Sequence, residues 1–154
     1  YRSIHWPVIV LLGSMIPIGQ ALQSSGGAET ISNILINISY GATPVTILAC
    51  MLIITMLLSA VLNNVATVLV AAPIGVEIAK TLAVNPDTFL MAVAIGASCA
   101  FLTPIGHQNN TLVMGPGGYR FGDYWKLGLP LEIVITVVSI PTLLYFWPLN
   151  SLPI

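Results

Sequence analysis

Five long apolar stretches make up most of this chain, and they limit what it can fold into more than any other feature. They cover residues 6–22, 44–62, 65–82, 89–102 and 127–147. Only 6% of the 154 residues are charged, 56% are hydrophobic, and the mean hydropathy is +0.96. An average soluble domain carries about 25% charged residues, and so few charges could not cover a soluble core with polar surface. We therefore predict an all-α integral membrane protein rather than a soluble domain with a very apolar core.

The last stretch is the clearest membrane span. Crossing a bilayer takes about 20 apolar residues, which residues 127–147 provide. Residues 6–22 form another candidate span, which begins after Arg2 and ends at a Gln-Ser-Ser-Gly-Gly stop signal at 23–27. The last span also has aromatic residues at both ends, as membrane interfaces favour: Tyr124, Trp125, Tyr145, Phe146 and Trp147.

Residues 29–40 form a shorter amphipathic segment. They alternate isoleucine and leucine with threonine, serine and asparagine at helical spacing, in a run too short to cross a membrane. This pattern predicts a helix that lies along the membrane surface. An ordinary loop is the alternative, because the polar residues are uncharged.

Asn63-Asn64 is the first of two polar breaks in the apolar sequence. It joins the second and third stretches with no charge, glycine or proline at the turn. A turn between two complete spans normally emerges into water and carries polar loop residues. Because Leu62 and Val65 flank this turn, we predict that it is the tip of a re-entrant helical hairpin inside the protein. A tight turn outside the membrane is the alternative.

The second break covers residues 103–111. Pro104 removes a helix N–H group and disfavours helical backbone at Thr103, while Gly106 adds conformational freedom. A polar run follows before the sequence becomes apolar again. The pattern predicts a transmembrane helix that is unwound at its centre, with a short second half from about Asn110. The alternative is a helix that ends at Thr103 and continues as an interfacial loop.

The two breaks share a chemistry that points to transport. Non-helical backbone survives at membrane depth only where protein or a wet cavity covers it, so a pair of such breaks is typical of a transporter's binding site. Each break starts a half-helix whose free N–H groups and positive dipole end suit an anion. Unwound carbonyls, with oxygens of Ser59, Asn64 or Thr103, suit a small hard cation beside it. No Lys or Arg lies in the middle of an apolar stretch, so we predict cation-coupled anion symport by alternating access.

Two segments carry a family resemblance: residues 97–101 (Ala-Ser-Cys-Ala-Phe) and 103–110 (Thr-Pro-Ile-Gly-His-Gln-Asn-Asn). They resemble the divalent anion:sodium symporters of the solute carrier 13 type, in the citrate-transporter-like ion transporter superfamily. The similarity runs from about residue 4 to 147 and follows the second of that fold's two inverted repeats. It implies that residues 1–154 are the C-terminal half of such a membrane domain, that the other repeat completes the site, and that the full-length protein is a homodimer. The start at Tyr1, without Met or a signal peptide, also leads us to expect a fragment.

The resemblance also implies residue roles. The family's Ser-Asn-Thr hairpin tip falls on Asn63-Asn64-Val65, which keeps only the central Asn and lacks the Thr hydroxyl that commonly faces a carboxylate. Asn64 is therefore expected to touch both substrate and sodium. The sodium ligands implied by the resemblance are Ser59, the Leu62 carbonyl, Asn64 and the Gly106 carbonyl. The predicted substrate-binding residues are Asn63, Asn64, Val65, Thr67, Thr103, Pro104, His107, Gln108, Asn109 and Asn110.

The ionisable residues and the cysteines are few. His107 is either a substrate donor or proton-coupling group, or a hydrogen-bonded structural histidine. Glu77 and Glu132 lie nearer helix ends, where a carboxylate can reach the interface, so we predict that both are structural. Cys50 and Cys99 lie in apolar stretches without metal-binding spacing and are expected to pack.

The basic residues set an orientation. If the first helix starts in the cytoplasm, Arg2, Arg120 and Lys126 lie inside and only Lys80 lies outside, in agreement with the positive-inside rule. The C-terminus is then outside, in a bacterial-type inner membrane.

Other classes of function fit the sequence less well. No basic run is present to neutralise nucleic-acid phosphates. An intramembrane enzyme would need a nucleophile, paired acids or a metal cage at recognisable spacing, so we predict no enzyme and no cofactor, with sodium as the coupling ion. A channel or structural membrane module remains an alternative. A sodium/proton antiporter of the same superfamily also remains, weakened by the absence of a mid-membrane Asp.

Overall fold

The computed structural model describes residues 43–150, together with residues 21, 24–26, 30, 33 and 34. All regular structure within 43–150 is helical, which confirms the predicted all-α class for this part of the chain. The predicted first span and surface helix fall outside the described residues, apart from these few positions. The helices are α1 (Pro44–Ser59), α2 (Asn64–Thr81), α3 (Pro86–Ser98), α4 (Gln108–Met114), a 3-10 turn (Phe121–Asp123) and α5 (Tyr124–Phe146).

Each of the first three helices begins at a capping side chain. Thr43, Asn63 and Asn85 precede α1, α2 and α3, and their side-chain oxygens accept a backbone N–H group from the first turn. Helices α1 and α3 also start with proline, which has no N–H group to leave unpaired. Local sequence therefore fixes where these helices begin.

Helix α3 lies between α1 and α2 and packs against both. At Gly96 it approaches α1 closely, because an added Cβ there would lie 2.9 Å from the Thr55 Cβ and 3.0 Å from the Leu52 carbonyl oxygen. Small residues allow such close helix contacts in membranes. All three helices supply fully buried side chains, of which the largest are Phe89, Leu48, Leu52, Met56, Ile78 and Val93.

Replacing Gly96 by Ala is expected to lower thermal stability, because the new methyl group meets α1 backbone and the Cβ of Thr55. Overpacking of this kind costs about 1–3 kcal/mol. Gly75→Ala in α2 is the matched control, since its nearest neighbours, on Phe89 and Val93, would be 3.6 Å away. Thermal unfolding in detergent should show a lower melting temperature for the Gly96 variant alone. Equal melting temperatures would mean that α1 and α3 are less tightly apposed.

Helix α5 runs antiparallel to α3. The Thr88 hydroxyl at the start of α3 donates to the Trp147 carbonyl after α5, at 2.8 Å. At the opposite end, Gly128 of α5 lies against the backbone of Phe101, where an added Cβ would be 2.5 Å from the carbonyl oxygen. By length and composition, two segments of the described chain could cross a membrane: α2 and the continuous helix Phe121–Phe146.

Candidate functional site

The first break occupies the four residues between α1 and α2. Helix α1 ends at Ser59, earlier than the end of its apolar stretch. The Asn63 side-chain oxygen accepts the Ala66 N–H group at 2.8 Å and caps α2. Asn64 is the first residue of α2 and is half-buried, with its Oδ1 3.4 Å from the Ser59 Oγ. The tip therefore places an amide and a hydroxyl side by side.

The second break begins earlier than the sequence predicts. Helix α3 ends at Ser98, not near residue 102, and the chain is non-helical as far as His107, so α4 begins at Gln108 rather than near Asn110. A tertiary contact lies at this helix end. The Ala97 carbonyl, which would pair with the N–H group of residue 101 in a continuing helix, accepts the Ser59 hydroxyl at 2.6 Å.

Asn110 satisfies the backbone that Pro104 leaves unpaired. Pro104 has no N–H group to offer the Ala100 carbonyl, and the Asn110 amide donates to this carbonyl at 2.7 Å and to the Thr103 carbonyl at 3.1 Å. The backbone carbonyl of Asn110 in turn accepts a hydrogen bond from the Tyr124 hydroxyl at 2.6 Å. Asn110 thus has a structural role, and its predicted contact with substrate stays a prediction. The aromatic-belt pattern around Tyr124 gave no signal of this bond in the sequence.

Asn110→Ala is expected to destabilise the protein, because it leaves two carbonyl groups of the unwound segment without their donor. Each unsatisfied buried group costs about 1–3 kcal/mol. Asn109→Ala is the matched control, since Asn109 is the exposed neighbour on the same helix. The measurement is the melting temperature in detergent. If both variants had the melting temperature of the wild type, the Ala100 and Thr103 carbonyls would have other hydrogen-bond partners.

His107 caps α4. Its Nδ1 accepts the Asn109 N–H group at 3.1 Å. This is the hydrogen-bonded structural role that the sequence left open as an alternative. A role in coupling or substrate binding stays a prediction.

The two breaks meet in space. The Thr103 hydroxyl donates to the Ala60 carbonyl, and a Cβ on Gly106 would collide with the Ser59 carbonyl. Ser59, Asn64, Thr103 and Gly106, predicted from separate parts of the sequence, therefore lie in one cluster, which we call the tip cluster. Only glycine fits at position 106 without moving the hairpin.

The Ser59 and Asn64 oxygens have a geometry that suits a cation. Ser59 has one hydroxyl hydrogen, and its 2.6 Å bond to the Ala97 carbonyl is much shorter than the 3.4 Å separation from Asn64 Oδ1. If the hydrogen lies in the shorter bond, two lone-pair-bearing oxygens face each other. A small hard cation near both would stabilise this arrangement.

The other predicted substrate-binding residues differ in exposure. Val65, Gln108 and Asn109 are exposed, whereas Pro104 is buried. Thr67 is fully buried, and its hydroxyl has no hydrogen-bond partner among the described residues. Their exposure and burial therefore do not place these residues in the tip cluster.

A cavity of about 250 Å³ lies between α4, the 3-10 turn and α5. Of the predicted site residues it includes only Asn110, whose donors already hold the unwound backbone. The lining is mainly apolar and aromatic. This cavity therefore shares only Asn110 with the predicted binding site.

The two glutamates differ from each other. Glu77 is near the end of α2 and pairs with Lys80 at 3.2 Å, in keeping with a structural surface role. The prediction that Glu132 reaches the interface is wrong. Glu132 is the ninth of the 23 residues of α5 and is only 7% exposed, because this face of α5 packs against the unwound segment.

Comparison with known proteins gives one family. A family model described as "Citrate transporter" matches residues 1–153. The uncharacterized transporter YfbS of Escherichia coli is 42% identical over 149 residues, which are 95% of this chain and 24% of that protein.

Two relatives have more informative names. Sodium/sulfate cotransporter 1 of Chlamydomonas reinhardtii is 29% identical over 140 residues, 90% of this chain and 16% of that protein. Human solute carrier family 13 member 4 is 29% identical over 145 residues, 92% of this chain and 23% of that protein. The chain thus spans about a quarter or less of the length of each of these three relatives.

Proposed function

Because this chain belongs to the citrate transporter family, we propose that it forms half of a secondary transporter that couples a cation, sodium, to uptake of a small divalent anion. Sulfate and dicarboxylates are the substrates to test first. Two relatives carry sodium and sulfate in their names. The members of this family are transporters. This agrees with the prediction from sequence that the chain is not an enzyme.

The tip cluster is the observation that carries this proposal. It joins the end of a helical hairpin to the unwound part of another helix, and it gathers neutral oxygens rather than fixed charges. Among the described residues no group of three or more His, Cys, Asp or Glu could hold a metal ion. Sodium held by carbonyl, hydroxyl and amide oxygens fits this chemistry, and its charge would help to balance an anion beside the start of α2.

The relative heights of α1 and α5 support a re-entrant hairpin. The Thr136 hydroxyl, on the thirteenth of the 23 residues of α5, lies 3.6 Å from the Met56 sulfur, one turn before the end of α1. At 1.5 Å per residue, the start of α1 lies about 18 Å from Met56. Trp147, just after the end of α5, lies at a similar distance from Thr136, so the start of α1 and the end of α5 are near the same level. The hairpin tip then lies roughly 10 Å short of the other end of α5. An α5 that spans the membrane would place the tip inside it.

The remaining parts of the proposal concern the whole protein. We place this chain as the second inverted repeat, with the first repeat on the same or another polypeptide, in a homodimeric transporter of a bacterial-type inner membrane. The C-terminus then faces outward. A site between repeats needs both of them, so the 154-residue chain alone should not transport.

Uptake by the full-length transporter in proteoliposomes tests the proposal. Labelled sulfate, succinate, citrate and phosphate are offered under an inward sodium gradient, a proton gradient or neither. Sodium-driven accumulation of a divalent anion, with exchange of labelled substrate in counterflow, is the expected result. Accumulation of none of them would contradict it, and so would sodium/proton exchange without anion movement. Flux without counterflow would indicate a channel.

A further inference from the structure

Glu132 is a buried acid that the tip cluster does not use. Its side chain lies on the face of α5 that packs against the unwound segment after α3, and it is 7% exposed. One carboxyl oxygen, Oε1, is buried without a hydrogen-bond partner in the described part of the chain. Gly128, one turn earlier on α5, lies against the Phe101 backbone, where an added Cβ would be 2.5 Å from the carbonyl oxygen. The acid is therefore held against non-helical backbone inside the helical unit.

No basic side chain described in the structure balances Glu132. Lys80 pairs with Glu77, and Lys126 pairs with Asp123 at 2.8 Å; both lysines are mostly exposed. Arg120 is exposed as well, and the Nδ1 of His107, at the far end of the unwound segment, accepts the Asn109 N–H group at 3.1 Å. An isolated carboxylate is strongly disfavoured in a low-dielectric interior, where the group takes up a proton instead. Ionisable groups inside membranes commonly mark ion or proton pathways.

The titratable groups on the neighbouring elements do not supply a counter-charge. Cys99, at the start of the unwound segment, is buried, but a thiol is neutral or negative. Helix α3 also carries Asp87, next to Thr88 at the far end of α5. Helix α1 carries Cys50, well over one turn before the Met56 contact with α5. Each of these groups would either destabilise the carboxylate form of Glu132 or have no effect on its stability.

We propose that Glu132 is a proton-binding site at the contact between α5 and the unwound segment, and that exchange of this proton with solution makes transport depend on pH. The ligand is a proton, and the site lies apart from the oxygens of the tip cluster. Movement of the unwound segment relative to α5 would open Glu132 to water and allow the proton to leave. The dependence of transport on pH rests on the proposed function, whereas proton binding by Glu132 does not.

Infrared spectroscopy of the full-length protein in liposomes tests proton binding directly. A protonated carboxyl group has a carbonyl stretch distinct from that of a carboxylate. The wild type should show a protonated-carboxyl band that weakens on raising pH. The band should be absent from Glu132→Gln and retained in Glu77→Gln, which removes a half-buried acid that pairs with Lys80. A spectrum in which Glu132→Gln loses only carboxylate absorption, or a Glu132 band that does not respond to pH, would overturn the proposal.

The uptake assay separates this proposal from the proposed function. With saturating sodium, the wild type and Glu77→Gln should share one pH profile, Glu132→Gln should be flat with pH, and Glu132→Asp should shift the profile. A Glu132→Gln variant that keeps the wild-type pH profile would overturn the proposal, as would one that changes only the sodium requirement. If Glu132→Gln does not fold, the infrared titration of wild type against Glu132→Asp decides. A protein that transports none of the tested anions still gives the infrared result.

Discussion

Asn64→Ala is expected to abolish sodium-driven anion uptake while leaving membrane insertion and melting temperature near those of the wild type. The Asn64 amide lies at the start of α2, with its oxygen beside Ser59 Oγ. An amide can donate to an anion and accept from a cation at once. A hydrogen bond to a charged partner contributes about 1.5–3 kcal/mol, so losing contacts to both ligands should lower uptake at subsaturating substrate by about 100-fold or more.

Asn150→Ala is the matched control for Asn64→Ala, because Asn150 is an exposed asparagine far along the chain from the tip cluster. Its uptake should equal that of the wild type. Flotation of both variants with membranes and their melting temperatures show whether they fold. Uptake by a folded Asn64→Ala protein within about twofold of the wild type, which is about 0.4 kcal/mol, would remove Asn64 from the binding site.

A cysteine at Val61 should be modified by membrane-impermeant thiol reagents only slowly, and substrate or sodium should slow it further. Val61 lies in the turn between α1 and α2 and is 69% exposed within this unit. If the hairpin is re-entrant, this position stops within the membrane beside a ligand cavity. Ligands that favour one conformation change the accessible fraction. Val61 is preferable to Asn63 for this purpose, because Asn63 caps α2.

The experiment uses a background in which Cys50 and Cys99 are replaced. Thr81→Cys, at the exposed opposite end of α2, is the control and should react rapidly from one side whether or not ligand is present. Labelling rates are compared with reagent on either side of oriented vesicles. Fast modification of Val61→Cys from the cytoplasmic side, unaffected by ligand, would identify an ordinary loop between two complete spans. It would also withdraw the main support for a site at the tip.

Local sequence was enough to locate both breaks, because each has a cause within a few residues. Asn63 provides a cap at which α2 begins, and Pro104 prevents continuous helical hydrogen bonding. The extent of the second break could not be predicted in this way. Helix α3 ends at Ser98, where the Ala97 carbonyl accepts the hydroxyl of Ser59, nearly 40 residues earlier. A contact between residues so distant in sequence leaves no local signal.

The sequence alone determined the membrane class, the helical secondary structure and the positions where helices are interrupted, since composition, capping residues and proline act locally. Only the tertiary structure decided which groups meet: Gly106 against Ser59, Asn110 across the gap left by Pro104, and Gly128 against Phe101. Glu132 shows the difference most clearly. Its position nearer a helix end suggested access to the interface. Its environment, however, depends on which face of α5 packs against the unwound segment. That choice is made by helix packing, with Gly128 allowing the close approach one turn away.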